Sequence, residues 1–170
     1  GSAANVVPAH AEAELPGGMR LVAKGRPAHG STPERGENAI CKLLCELSDM
    51  PRVESRTVSR LERLFCHDLT GAALGIDVPD ADFGHTSVNL GVIEAEGCRV
   101  RIELDVRFGS AVGADEVVSR VGAALGPTWR VDVAMRKELH LVSEDDACVQ
   151  ALLAAYERVT GEPGTCSVMA

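Results

Sequence analysis

The stretch Gly25–Ile40, GRPAHGSTPERGENAI, decides how the rest of the chain is interpreted. Its central part, Pro27–Arg35, contains two prolines and a glycine, which predicts a loop, and this loop carries His29. Four apolar residues then recur at helical spacing: Ile40, Leu43, Leu44 and Leu47. Because these four would share one helix face, we expect a helix over Glu37–Asp49.

The rest of the chain predicts an α+β protein. A hairpin is expected before the loop, with strands at Val6–Leu15 and Met19–Gly25. The periodicity then predicts, in order, a helix at about Ser55–Leu69, strands at Thr86–Glu94 and Cys98–Phe108, a helix from Gly113, a strand at Trp129–Leu139, and a helix at about Glu144–Val159. Since helices follow pairs of strands, the expected fold is an antiparallel sheet with helices packed on one face.

Composition excludes several classes of function. Of 170 residues, 45% are hydrophobic and 25% are charged, which predicts a packed core rather than disorder. Aromatic residues are only 3% and the net charge is −8. Nucleic-acid binding depends on basic surfaces and stacking rings, and an anionic membrane repels an acidic chain. We therefore expect neither nucleic acid nor a membrane as a partner.

The cysteine pattern favours a reducing compartment. Six cysteines occur and none forms a CxxC pair. Cys41 and Cys45 lie four apart in an apolar helical run, where cysteine behaves as a small buried hydrophobe. No signal peptide and no apolar run of about 20 residues is visible. The expectation is a cytoplasmic protein, with Gly1-Ser2 set aside as a tag-cleavage scar.

The Gly25–Ile40 stretch resembles the pattern G-x-x-A/S-H-x-S-x-P-x-x-G-x-N-A in the lid domain of the two-zinc metallopeptidases. That family includes peptidase V-type dipeptidases, carnosinases, carboxypeptidase G-type enzymes and aminoacylases. The matching positions are Gly25, Ala28, His29, Ser31, Pro33, Gly36, Asn38 and Ala39. Three further stretches resemble strands of the same lid, in family order: Asn5–Ala11, Thr86–Ile93 and Asp105–Phe108.

The resemblance implies a ferredoxin-like βαββαβ lid or dimerisation domain over residues 3–140. Residues 141–170 would then be a returning helix and tail that belong to the catalytic domain. It also implies that the parent protein is a zinc-dependent dipeptidase with two zinc ions on its catalytic domain. This chain has no H-x-D sequence and no Glu-Glu pair. We therefore expect no metal bound to it and no activity from it alone.

Five residues become candidates for the site by resemblance. His29 matches the lid histidine that reaches the zinc site and donates a hydrogen bond to the developing oxyanion. Asn5 and Asn89 match substrate-binding asparagines, and Arg107 would clamp the substrate carboxylate. Arg136 is the second candidate for that clamp.

Each candidate also has a plainer interpretation. His29 could be an ordinary surface residue, and Asn5 could cap a turn. Asn89 could satisfy backbone groups within the sheet, and Arg107 could pair with Asp105 on the same strand face. The remaining histidines are scattered and are expected to be ordinary positions: His10, His67, His85 and His140.

Two functions of different kinds stay open. The first is the lid of a dipeptidase, with a dipeptide or N-acyl amino acid as substrate and the protein's own catalytic domain as partner. The second is an assembly module that forms a homodimer in a carboxypeptidase G- or aminoacylase-type amidohydrolase. A regulatory domain of ferredoxin-like fold that binds a small ligand is a third interpretation.

Overall fold

The computed structural model describes residues 1–51, 53, 55–137 and 140–167. Its first regular element is a β-hairpin. Strands β1 (His10–Leu15) and β2 (Met19–Lys24) pair antiparallel, with His10 opposite Lys24. Both glycines of the turn, Gly17 and Gly18, have positive φ, which glycine adopts without steric penalty. The hairpin is therefore confirmed, although its first strand begins at His10 rather than Val6.

The two predicted helices that follow are present. Helix α1 (Ala39–Ser48) begins after Asn38, whose side-chain oxygen accepts hydrogen bonds from the Ile40 and Cys41 amides at 2.9 and 3.1 Å. Such a cap satisfies amides that have no partner within the helix. Helix α2 (Arg56–Phe65) is capped in the same way by Ser55.

A second hairpin and a third helix complete the first part of the chain. Strands β3 (Ser87–Glu96) and β4 (Arg99–Arg107) pair antiparallel, with a bulge between Leu90 and Val92. Helix α3 (Ala114–Leu125) follows. The core is aliphatic apart from Phe65, and its most deeply buried members include Ala39, Ile40, Leu61, Leu64, Phe65, Ile76 and Leu90.

The α+β class is confirmed, but the sheet differs from the expectation. The described residues form two separate two-stranded sheets, β1–β2 and β3–β4, where a single sheet was expected. Helix α1 contacts β1, β2 and β3. The two hairpins are therefore joined through a shared helix and its buried apolar face, and not by a continuous ladder of backbone hydrogen bonds.

The strand predicted at Trp129–Leu139 is wrong for the part that the structure describes. Residues 129–137 contain no strand, and Glu138 and Leu139 lie outside the described residues. Trp129 and Val131 pack against the core through their side chains. Alternating apolar residues produce a strand only where a neighbouring strand supplies hydrogen bonds, and this segment pairs with none of the described strands.

The chain divides into two compact units, Gly1–Val133 and Ala134–Met169. The second unit contains helix α4 (Ala147–Thr160), which confirms the last predicted helix. Leu152, Tyr156 and Val159 of this helix are exposed. The assignment of residues 3–140 and 141–170 to two domains of a larger protein remains a prediction. Within the described ranges, each helix falls short of the length and hydrophobicity that crossing a bilayer requires.

Candidate functional site

The N-terminal segment and the histidine loop are held together by backbone hydrogen bonds. The Val7 amide donates to the Ala28 carbonyl at 2.9 Å, and the Gly30 amide donates to the Asn5 carbonyl at 2.8 Å. Between these two bonds, Val6 and His29 form an isolated β-bridge. The loop predicted from Gly25–Ile40 is thus fixed at its centre, with Asn5 beside Gly30.

His29 is exposed, and one of its ring nitrogens is engaged locally. Its Nδ1 accepts a hydrogen bond from the Ser31 amide at 3.2 Å and lies 2.8 Å from the Ser31 hydroxyl. When Nδ1 is the acceptor, the proton of a neutral imidazole is on Nε2. Ser31 therefore selects the tautomer in which Nε2–H is the donor. The sequence pattern contained Ser31 but did not reveal this role.

Asn89 is almost completely buried, with 1% of its surface exposed. Its side-chain nitrogen donates to the carbonyls of Ala4 and Val6 at 2.7 and 3.0 Å. Its side-chain oxygen accepts from Asn38 at 3.2 Å. Of the two interpretations of Asn89, this geometry matches the one in which it satisfies backbone groups, because its amide already has three partners. Through them it fixes the segment that carries Asn5.

The bulge beside Asn89 allows that segment to approach. A side chain at Gly91 would place a Cβ atom 2.4 Å from the Ala4 carbonyl oxygen and 2.5 Å from that of Ala3. Backbone atoms cannot yield at such distances, so the close approach requires glycine. Gly91 is part of the strand resemblance, but the contact that explains it is visible only in three dimensions.

Arg107 and Asp105 form an ion pair on β4. The Arg107 Nε donates to the Asp105 Oδ2 at 3.0 Å, and the two side chains are 25% and 21% exposed. Asp105 is also opposite Asn89 across the hairpin. A Cβ atom at Gly30 would lie 2.5 Å from the same Asp105 oxygen. The ion pair therefore borders the His29 loop at Gly30. The sequence alone did not identify Gly30 as part of the site.

Four of the five predicted site residues meet at this place in the first unit. Asn5 and His29 adjoin Gly30, and Arg107 is paired with the Asp105 carboxylate that borders Gly30. Asn89 supports the Asn5 segment from within. The fifth, Arg136, is exposed and belongs to the second compact unit.

The surroundings of His29 do not match a two-zinc site. Among the described residues, one group of three potential metal ligands is present, and it consists of Cys45, Glu62 and His67. Its members lie on α1, on α2 and just beyond α2, and none of them is a predicted site residue. A two-zinc centre needs bridging carboxylates and histidines from several elements, which this group does not supply.

A family model described as a peptidase dimerisation domain matches residues 17–129. The chain therefore belongs to the peptidase dimerisation domain family. A Staphylococcus saprophyticus protein named "Putative dipeptidase" is 25% identical over 152 residues, which cover 86% of this chain and 32% of that protein. The chain thus spans about one third of the length of this relative.

Proposed function

We propose that this chain is the lid of a zinc-dependent dipeptidase and that His29 acts on the substrate's scissile carbonyl group. The observation that carries the proposal is the engaged Nδ1 of His29, which leaves Nε2–H as a donor on an exposed loop. The resemblance of Gly25–Ile40 to the lid histidine segment and the name of the staphylococcal relative support the same assignment.

The chemistry explains why a rigid donor is useful. Hydrolysis of a peptide bond builds negative charge on the carbonyl oxygen, and a donor aimed at that oxygen stabilises the transition state. Its effect depends on the donor being held before the substrate arrives. The Gly30–Asn5 bond at 2.8 Å and the Thr32–His29 backbone bond at 3.0 Å hold the loop on both sides of the imidazole. Closure onto a catalytic domain would bring Nε2 to the substrate and exclude water.

Arg107 is proposed to hold the C-terminal carboxylate of the substrate. A guanidinium binds a carboxylate with two parallel hydrogen bonds, and the Asp105 contact through Nε fixes the plane of the group. Asn5, which is exposed beside the loop, is proposed as a further substrate contact. Arg136 is kept as the alternative clamp.

The zinc ions belong to the part of the parent protein that this chain does not contain. Bound there, they would supply a Lewis acid and an activated water. The residues of this chain would orient the substrate, hold Nε2–H in place and exclude solvent. We also propose a reducing, cytoplasmic location for the parent, which is supported by six free cysteines.

The test is hydrolysis by the full-length parent. We expect dipeptides to be cleaved faster than N-acyl amino acids or C-terminally amidated dipeptides. A chelator should abolish the activity, and zinc should restore it. Activity that survives complete metal removal would refute the zinc assignment. Faster cleavage of N-acyl amino acids would favour an aminoacylase instead.

A second function, assembly of a homodimer, is favoured by the family and by one surface. On the edge strand β2, the Val22 side chain is 46% exposed. An exposed apolar side chain on an edge strand favours pairing with a second copy, and a lysine there opposes it. We expect Val22→Lys to shift the chain from dimer to monomer in light scattering. The matched control Val133→Lys, at an exposed valine outside the strands, should leave the mass unchanged. A wild-type chain that stays monomeric at high concentration would rule out this function for the isolated module.

A further inference from the structure

A second group of reactive side chains lies where α1 meets the end of α2. Cys45 is on α1, Glu62 is on α2, and His67 follows the residue that caps α2. One potential ligand atom from each of the three lies within 4.8 Å of the other two. The pair of Glu62 and His67 is already in direct contact. None of the three has a role in the proposed function.

Two more thiols border this group. Cys41 and Cys45 are one helical turn apart on α1, as are Glu62 and Cys66 at the end of α2, so the four side chains lie on facing surfaces. The Cys41 thiol donates to the Phe65 carbonyl at 3.4 Å. The Cys41 thiol is thus engaged by the end of α2 beside the group.

The helices that carry the group are fixed by buried core residues, while His67 on its outer side is exposed to solvent. Leu44, Leu61 and Phe65 are buried between the helices, so α1 and α2 cannot slide without disrupting the core. The His67 side chain is 61% exposed and that of Glu62 is 20% exposed. A cation therefore has a route from solvent to side chains whose backbones are fixed.

We propose that Cys45, Glu62 and His67 bind one divalent cation of the zinc class, with a water molecule completing the four-coordinate site. Thiolate, imidazole and carboxylate are the ligands that zinc takes in proteins. In a tetrahedral site, bonds of about 2.3 Å to sulfur and about 2.0 Å to nitrogen or oxygen place two ligand atoms roughly 3.3–3.5 Å apart. The three ligand atoms lie within 4.8 Å of one another, so side-chain rotations of the exposed His67 and of Glu62 can bring them to these separations.

The mixed ligand set also selects the kind of cation. Magnesium and calcium prefer oxygen ligands, so sulfur and imidazole disfavour both. A cation held here would tie the C-terminal half of α1 to the end of α2. Metal binding to the folded state alone raises the stability of that state. The site would then act as a clamp between two helices of the lid.

The test uses the metal-free, fully reduced 170-residue chain titrated with Co²⁺ and then with Zn²⁺. We expect one Co²⁺ per chain, a thiolate-to-cobalt charge-transfer band, and complete displacement of that band by Zn²⁺. Cys45→Ser and His67→Ala should each weaken binding by at least about tenfold. Cys98→Ser and Cys148→Ser are matched controls at exposed cysteines, and they should bind as the wild type does.

Thermal unfolding followed by circular dichroism separates loss of the site from loss of the fold. Zn²⁺ should raise the melting temperature of the wild type and of both control variants, and it should leave that of Cys45→Ser unchanged. The proposal is overturned if Co²⁺ gives no saturable charge-transfer band. It is equally overturned if Cys45→Ser, shown to be folded, binds Co²⁺ as tightly as the wild type.

Discussion

Helix α1 carries a different kind of site at each end. At its start, Asn38 donates hydrogen bonds to the Asn89 side chain and the Leu90 carbonyl. Asn89 in turn donates to the Ala4 carbonyl of the segment beside His29. In its C-terminal half, Cys45 lies close to Glu62 and His67, whose side chains are potential metal ligands. The first end is complete without a ligand and holds its donor still. The second brings ligand atoms together and is completed only by a cation.

The isolated chain should show the largest difference between the functions of the two sites. We expect the purified 170-residue chain to bind one Zn²⁺ and to hydrolyse no dipeptide, because a lid supplies one donor and a clamp but no activated water. The measurement is hydrolysis of a dipeptide panel by the chain with added zinc, with the full-length parent alongside. Turnover by the chain alone would show that it contains a complete catalytic site, and would contradict the assignment of the chain as a lid.

Arg107, the proposed carboxylate clamp, should distinguish substrates by the charge at their C-terminus. In the full-length parent, Arg107→Ala should raise KM for dipeptides by about 10–100-fold, since it removes charged hydrogen bonds to the C-terminal carboxylate. The KM for C-terminally amidated dipeptides should change little, because they carry no such carboxylate. Arg101→Ala, on the same strand but paired with Glu94 and Glu103, is the matched control. An equal loss for both substrate types would make Arg107 a structural partner of Asp105.

The buried amide at the His29 end should matter for stability. Asn89→Ala leaves the carbonyls of Ala4 and Val6 without their donor, and we expect the free energy of unfolding to fall by about 1–3 kcal/mol. Denaturant titration measures it. Asn5→Ala, at an exposed asparagine, should change that free energy by less than about 0.5 kcal/mol. Similar values for the two variants would contradict the account of Asn89 as the support of this segment.

The smallest effect is expected away from both ends, at the loop of Asp80. The Ser110 hydroxyl and the amides of Phe83, Asp82 and Ala111 hold the Asp80 carboxylate and lower its pKa from 3.8 to about 2. A pKa below the unfolded value means that this contribution is complete above pH 3.8 and is lost as the pH falls towards 2.

The Asp80 contribution can be isolated by comparing two variants. We expect Asp80→Asn to reduce stability at about pH 6 and to have a smaller effect at about pH 3. Asp82→Asn, which removes the same charge from the next aspartate, should show less of this pH dependence. Denaturation midpoints at both pH values provide the measurement. Equal pH slopes for the two variants would show that the hydrogen bonds to Asp80 contribute nothing.

Much of the fold could be predicted because its signals are local. The spacing of Ile40, Leu43, Leu44 and Leu47 predicted α1, and alternation predicted both hairpins. The predicted strand is absent from residues 129–137, because alternation shows that one face is apolar but not that a partner strand is present. The division into two sheets was also invisible, since it depends on how α1 packs against both hairpins.

The site could be predicted only in part, for a related reason. His29 was identified because its motif is continuous in sequence. The supports of the loop come from distant residues: Gly30 borders Asp105, and Gly91 borders Ala4. The group of Cys45, Glu62 and His67 could not be predicted, because Cys45 and His67 come together only through helix packing. In the sequence, His67 is an isolated histidine and Cys45 is an ordinary core residue.

The most direct measurement is the kcat of the full-length parent carrying His29→Ala, at zinc content equal to that of the wild type. Loss of a donor to the developing oxyanion should lower kcat by about 100–1000-fold while KM changes little. Ser31→Ala, which releases the Nδ1 partner and keeps the imidazole, should give a smaller loss. A His29→Ala enzyme whose kcat stays within about threefold of the wild type would contradict the assignment of His29 to the active site.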